Sequence, residues 1–378
     1  MPKDLFKNYI YPIATLCGTI VGVGFFSLPY ITMKVGLWPM LFYFLVLTGL
    51  VVLIHLIFSQ ISLKTPDFKR FPGFVKFHLG KWPGALYLIS TISGSFGVLL
   101  VYLIVGSDFL RNIMLPFWPV SQLTCAFIIW CLTSFIIYFG IKIISKVELA
   151  VMLLLSGILF LIFIKGLPYI KLSNIFSESW NLKAENLLLP YGPIIFSLWG
   201  LGIIPEIEEM LGRDKKNLKK IIAISILLVA AVYLFFIFLI LGITGPNTTE
   251  TALTGLKNFL GSGHPLGLFS FSLFLGVLTT FTASVMLGLT LKKVFMYDLG
   301  IKKNHAWLFT CFTPLILFLL GLKSFIPVIS FVGGVLLPID GILILLMYRK
   351  LGGKKIIIYP LALVFILGIL YEIIYNII

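Results

Sequence analysis

The chain has 378 residues, of which 60% are hydrophobic and only 11% charged, with a mean hydropathy of +1.10 and a formal net charge of +15. Its apolar runs repeatedly exceed the roughly 18 residues that span a bilayer, which excludes a soluble enzyme or binding domain and implies a polytopic membrane protein. The basic excess is spread over short loops rather than gathered on one face, so it speaks for membrane topology and lipid contact and against a nucleic-acid partner.

Apolar runs between charged breaks predict eleven helical spans, segments 1 to 11, at 9–30, 37–60, 84–113, 120–141, 147–167, 187–211, 218–243, 265–296, 306–321, 325–348 and 356–377. Segment 1 contains GTIVGVGFFSLPY, with Gly18, Gly22 and Gly24 within seven residues and then Pro29. Between segments 2 and 3, FPGFVKFHLGKW reads as an interfacial helix. Segments 3 and 8 are the longest spans. Segment 6 carries LLLPYGPIIFSLWGLGIIPEIEEM. After segment 7, TETALTGLKNFLG places Ala252, Leu253, Leu256, Phe259 and Leu260 at helical spacing, which predicts a short surface helix able to act as a lid. Cys17, Cys125, Cys131 and Cys311 all fall inside predicted spans, without CxxC spacing, and read as packing residues.

Orientation follows from the basic residues. Lys3 and Lys7 with the stretches 64–81, 142–146, 213–220, 292–303 and 349–355 hold 22 of the 29 Lys and Arg. An N-terminus in the cytoplasm puts these on the inside, leaving Lys34, Arg111, Lys165, Lys171, Lys183, Lys257 and Lys323 opposite. The C-terminus is then outside, and the plasma membrane is the expected location.

In segment 6, Gly200-Leu-Gly-Ile-Ile-Pro205 echoes Gly22-Val-Gly-Phe-Phe26 ahead of Pro29. The two stretches lie five spans apart, and an odd offset brings the second copy in from the opposite side, the signature of an inverted repeat. The chain then reads as a single transporter domain over residues 1–378. Its first repeat covers 9–167, its inverted second repeat covers 187–348, and 356–377 is an additional helix. Both glycine clusters sit near mid-span. A GxxxG packing face and a nucleotide-binding glycine loop compete with a helix break; the latter loop lacks a third glycine and a preceding strand. Each interior glycine costs a helix about 1 kcal/mol relative to alanine, and broken helices survive in lipid only where they line a protein cavity.

A helix that unwinds at mid-membrane exposes N–H groups at the start of its outer half and C=O groups at the end of the preceding half. The N–H groups of Val23, Gly24 and Phe25 suit a carboxylate, and the carbonyls of Phe196 to Trp199, Ser197 included, suit an ammonium. Together they match an amino acid zwitterion without fixed charges at the bilayer centre. Glu206, directly after Pro205, is the best titratable candidate for proton coupling, while Glu208 and Glu209 read as interface anchors.

GTIVGVGFFSLPYITMKVGLW, YLIVGSDFL, GLGIIPEIEE and VLTTFTASVMLGL resemble, in order and spacing, the amino acid/auxin permease and aromatic amino acid permease group of the amino acid-polyamine-organocation superfamily. The resemblance implies an all-α LeuT-type fold, a five-plus-five inverted repeat with an eleventh helix, and alternating access. It also implies a cation site in which carbonyls of Gly18 and Val21 join hydroxyls of Thr279 and Thr280, with Na+ as a possible coupling ion and no other cofactor. Ordinary bonding of both threonines to their own helix is the competing reading. Phe281 departs from the small residue of the aromatic permease pattern. Ser93, Phe96 and Trp199 would then face the substrate side chain.

A membrane enzyme would need convergent catalytic groups, yet His55 is the only histidine inside a span and no HExxH or GxSxG occurs. A channel would draw its symmetry from an oligomer, whereas this chain carries it internally. No GxxxxGK[ST] loop is present, so an ion gradient or exchange must supply the energy. The sequence leaves the oligomeric state open.

Overall fold

The computed structural model describes residues 6–65, 71–140, 154, 157–176, 186–212, 215–260 and 267–377. Among these residues seven helices are long and apolar enough to cross a bilayer, and a bent pair in segment 1 makes an eighth. The first part of segment 5 with Glu148, and the basic residues Lys69, Arg70, Lys142, Lys146, Lys183 and Arg213, lie outside the described residues.

Segment 1 runs as Tyr11–Ile20, Val23–Ser27 and Leu28–Val35, five residues beyond its predicted end. Pro29 caused the shorter expectation. It occupies the first turn of Leu28–Val35, where a missing N–H costs no helix bond, so it starts the last stretch rather than ending the span. Gly36 stops that helix at φ 89°, a left-handed value that glycine adopts without a Cβ penalty. Segment 2 is Leu37–Lys64, segment 3 Lys81–Met114, segment 4 Gln122–Phe139 and segment 7 Leu218–Thr244. Segment 8 is Leu268–Lys293 and continues as a wide π-turn to Asp298, and segment 9 is Lys303–Leu319. Segment 10 carries such a turn internally, at Val332–Leu336 between Phe325–Phe331 and Leu337–Lys350. Within it, a Cβ on Gly333 would strike the Gly192 carbonyl of segment 6, and one on Gly334 would strike Glu372 of segment 11 (Lys355–Ile377).

Hydrogen bonds between segments sort them into two bodies. In the first, Tyr9 of segment 1 donates to Asn217 at the head of segment 7 (2.7 Å), and Ser62 of segment 2 donates to Glu208 of segment 6. In the second, Trp130 Nε1 of segment 4 donates to the Cys311 carbonyl of segment 9 (2.8 Å), and Trp307 Nε1 of segment 9 donates back to Ser134 O of segment 4 (2.9 Å). Lys292 Nζ of segment 8 reaches the Ile137 and Tyr138 carbonyls at the end of segment 4. Segments 3 and 8 meet through glycine: Gly106 faces Thr280, and Gly276 faces the Phe109 ring.

The predicted interfacial helix is Phe71–Leu79, with Phe71, Phe74 and Val75 buried. The predicted lid forms a 3-10 helix, Leu253–Asn258, but it is not a surface helix. Ala252, Leu253 and Leu256 are fully buried, and Thr251 Oγ1 donates to Asp108 Oδ2 of segment 3 at 3.0 Å. Ala252 takes φ 53°, a strained value for a residue with a Cβ.

Candidate binding site at two helix breaks

Segment 1 loses its α-helix at the first glycine of the Gly-x-Gly pair. The Val21 N–H still bonds Cys17 O (2.9 Å), but ψ swings to 87°, and the extended Gly22 folds its N–H back to Ile20 O (2.8 Å). A tighter helix then starts at Val23, whose first N–H groups, those of Val23 and Gly24, precede any i+3 bond. Segment 6 does the same. Tyr191–Leu198 ends, Trp199 is extended at ψ 118°, and after Gly200 the chain rewinds as Leu201–Ile203 and Ile204–Leu211. Pro205 again lies in the first turn of the second half.

The breaks touch. A Cβ on Gly24 would come 2.6 Å from Ser197 Oγ and 2.7 Å from the Phe196 ring, and one on Gly200 would come 2.5 Å from the Ile20 side chain. Small residues are thus required where the two unwound strands cross. The Ser197 hydroxyl is buried there with no hydrogen-bond partner among the described residues.

Three side chains that sequence reasoning did not assign to the site organise it. Tyr233 of segment 7, fully buried, shares its one hydroxyl proton between Ile20 O and Ser197 O, both at 3.1 Å, and so joins the carbonyl ends of the two first halves. Its ring stacks on Phe25 (5.5 Å, 8°), which also meets Phe236 edge-on. His55 of segment 2 accepts the Gly200 N–H at Nε2 (3.1 Å), and Trp199 packs edge-on against the same ring. Tyr102 of segment 3 lies across from Gly22, its hydroxyl 3.7 Å from where a Cβ would stand. None has a local signature: each is a single polar group in an ordinary apolar helix.

Of the residues singled out from sequence, Val23, Gly24, Phe25, Phe196, Ser197 and Trp199 are brought together at the breaks. Ser93 and Phe96 are not. Ser93 is exposed, and Phe96 sits with Phe295, Leu99 and Leu291, about two turns along segment 3 from Tyr102. Thr279 Oγ1 donates to Leu275 O (2.9 Å) and Thr280 Oγ1 to Gly276 O (3.0 Å), so each hydroxyl proton goes to its own helix and only oxygen lone pairs remain for a cation. Thr280 faces Gly106, and no described hydrogen bond links either threonine to Gly18 or Val21, which are half-exposed. Glu206 keeps a buried Oε2 without a partner among the described residues. Glu208 is engaged by Ser62 and by Lys215 at 2.6 Å.

These features describe a backbone-lined crossing of two interrupted helices. A search of the curated proteins finds no match. Among solved structures the chain is similar to MhsT in complex with L-phenylalanine, with TM-score 0.58 and 16% identity over 97% of each chain, which establishes a shared LeuT-type fold. The model of the tryptophan/tyrosine permease family matches residues 7–371. The chain therefore belongs to the tryptophan/tyrosine permease family, an all-α LeuT-type membrane transporter and not an enzyme.

Proposed function

We propose that this permease carries aromatic amino acids by alternating access in symport with a cation, across the plasma membrane, with its N-terminus in the cytoplasm and its C-terminus outside. One observation carries the reading: two mid-span helix breaks, opposite in direction, meet in contact with their carbonyl ends tied to one tyrosine. The substrate carboxylate sits on the N–H groups of Val23 and Gly24, just ahead of Phe25, where a helix start is electropositive. The ammonium is received by the carbonyls from Phe196 to Trp199 and by the unpartnered Ser197 hydroxyl. Tyr233 already occupies the Ser197 carbonyl, so Phe196 O, Leu198 O and Trp199 O remain the main acceptors. The aromatic class is supported by the family's name and by the L-phenylalanine held by the similar structure.

For the cation, Gly18 O, Val21 O and the lone pairs of Thr279 and Thr280 form a hard oxygen set suited to Na+; Glu206 is the proton alternative. The division into segments 1, 2, 6, 7 and segments 3, 4, 8, 9 supports a rocking of one body against the other, with the first and second repeats contributing to each. The test is uptake of labelled amino acids into proteoliposomes under imposed sodium or proton gradients. Accumulation of tryptophan, tyrosine or phenylalanine under one gradient is expected. Exchange without accumulation would make the protein an exchanger, and no movement of any amino acid would sink the proposal.

A further inference from the structure

His55 is an odd residue to find fully buried in the middle of an apolar helix, and its two ring nitrogens are both committed. Nε2 faces a backbone N–H, which can only donate, so Nε2 must accept and the ring proton must reside on Nδ1, where Val51 O lies 2.8 Å away to receive it. The bond to Gly200 therefore exists only for neutral imidazole in one tautomer. Adding a proton at Nε2 turns both nitrogens into donors and sets N–H against N–H.

We infer that His55 is a proton-binding site that latches the segment 6 break to segment 2, and that its protonation releases the latch. The inference rests on the transport reading given above and names its proton-sensitive part. In the latched state Gly200 is held against His55 and Trp199 is packed on the ring, so the corner of segment 6 is fixed on its segment 2 side. Ser62 and Glu208 tie the same two segments two helical turns further on, leaving His55 as the tie nearest the break. Once Nε2 carries a proton, the corner is free to turn its carbonyls toward a bound ammonium. Substrate and proton then favour the same state, and by reciprocity each raises the affinity for the other. No bond is made or broken beyond N–H: the proton comes from water and returns to it when Gly200 recaptures the nitrogen.

The helix of segment 2 packs against both halves of segment 6, the second half of segment 1, segment 7 and the inner half of segment 10. Most titratable groups these elements hold in the interior are otherwise engaged: Tyr233 with two carbonyls, Glu208 with Ser62 and Lys215, Tyr191 with Val364 O, and Tyr30 with Lys34. Glu206 of segment 6 and Asp340 of segment 10 each present a carboxyl oxygen with no partner among the described residues and are the rival proton sites. The described partners of the His55 ring are Val51, Gly200 and Trp199.

The test compares wild type with His55→Gln, whose amide oxygen can still accept the Gly200 N–H but does not titrate, and His55→Leu, which has no acceptor. Radiolabelled L-tryptophan and L-phenylalanine binding to the purified protein is measured from about pH 8 to about pH 4, a range that carries past the ordinary histidine transition. Wild-type affinity should rise about tenfold on acidification. His55→Leu, with the latch permanently open, should bind at every pH about as tightly as acidified wild type, and His55→Gln, with the latch held, should bind about as weakly as wild type at about pH 8, with a flat profile. A wild-type pH profile in His55→Gln, or a profile flattened by Glu206→Gln or Asp340→Asn instead, overturns the inference. A second measurement does not depend on transport: NMR of the wild-type protein with isotope-labelled histidine, the His55 signal assigned by its loss in His55→Gln. The ring should be a neutral Nδ1–H tautomer at about pH 8 and gain a proton on acidification, together with faster exchange of the Gly200 amide. A His55 ring that stays neutral throughout, or one that titrates without loosening Gly200, overturns the latch even if uptake succeeds. Failure of both amino acids to bind alongside a titrating His55 faults the transport reading alone.

Discussion

Tyr233→Phe removes a single oxygen and leaves the ring, so it separates the hydroxyl's tie from the stacking of Tyr233 on Phe25. In the wild type that hydroxyl serves two carbonyls, each at 3.1 Å. Ile20 O keeps the Gly22 N–H at 2.8 Å after the substitution, whereas Ser197 O loses its described donor. A net hydrogen bond is worth about 0.5–1.5 kcal/mol, and a buried acceptor left unpaired costs about 1–3 kcal/mol, so roughly 2 kcal/mol is the expected loss. If that energy holds the carboxylate cradle in register with the ammonium acceptors, substrate binding should weaken by about 10- to 30-fold, at about 1.4 kcal/mol per factor of ten. Equilibrium binding of L-tryptophan to purified protein and a melting curve in the same detergent read the two effects. Binding within twofold of wild type and an unchanged melting temperature would refute the claim that the hydroxyl ties the breaks together.

Gly24→Leu should insert and fold in the membrane yet abolish uptake, because its Cβ alone would lie 2.6 Å from Ser197 Oγ; normal uptake would count against the cradle. Thr280→Ala should abolish sodium dependence and leave some exchange, since its lone pairs and not its proton remain for a cation, and retained sodium dependence would remove it from the site. Burial raises the carboxyl of Glu250, in the loop after segment 7, above the ordinary glutamate range, against a smaller opposing effect of its bond to the Phe325 backbone. The folded protein then binds that proton more tightly than the unfolded chain, so stability falls as the pH climbs from the unfolded value through the raised folded one. Glu250→Gln should therefore melt higher than wild type at neutral pH, with the gap closing below about pH 4, where both glutamate states are protonated. No gap at neutral pH would show that the carboxylate is not strained there.

The breaks were legible because glycine acts through the backbone: Gly22 and Gly200 each open their segment wherever the neighbours lie, and sequence depth alone puts them at mid-membrane. The ties were not legible. Tyr233, His55 and Tyr102 act across tertiary contacts, and nothing in VYLFF, LIHLI or VYLIV distinguishes a residue that bonds a distant carbonyl from one that packs. Ser93 and Phe96 lie about two turns along segment 3 from Tyr102, the residue that faces the break at Gly22. Segment 3 is 34 residues of unbroken helix with no proline in its interior to fix its depth, so register could come only from its neighbours. The burial of Ala252, Leu253 and Leu256 was not legible for a related reason: spacing identified an apolar face, but a face says nothing of whether lipid, water or protein covers it.

The paired indoles between segments 4 and 9 set a limit on how this molecule can deform. Trp130 reaches from the first helix to a carbonyl of the second, and Trp307 reaches back. An axial slip by one residue is about 1.5 Å, enough to break both bonds, and hydrocarbon offers the freed carbonyls no water in exchange. The two helices are thereby keyed like teeth of a rack, so any stroke must be taken up elsewhere. It falls to the interrupted segments, whose polar backbone is already turned inward and has less to lose by moving.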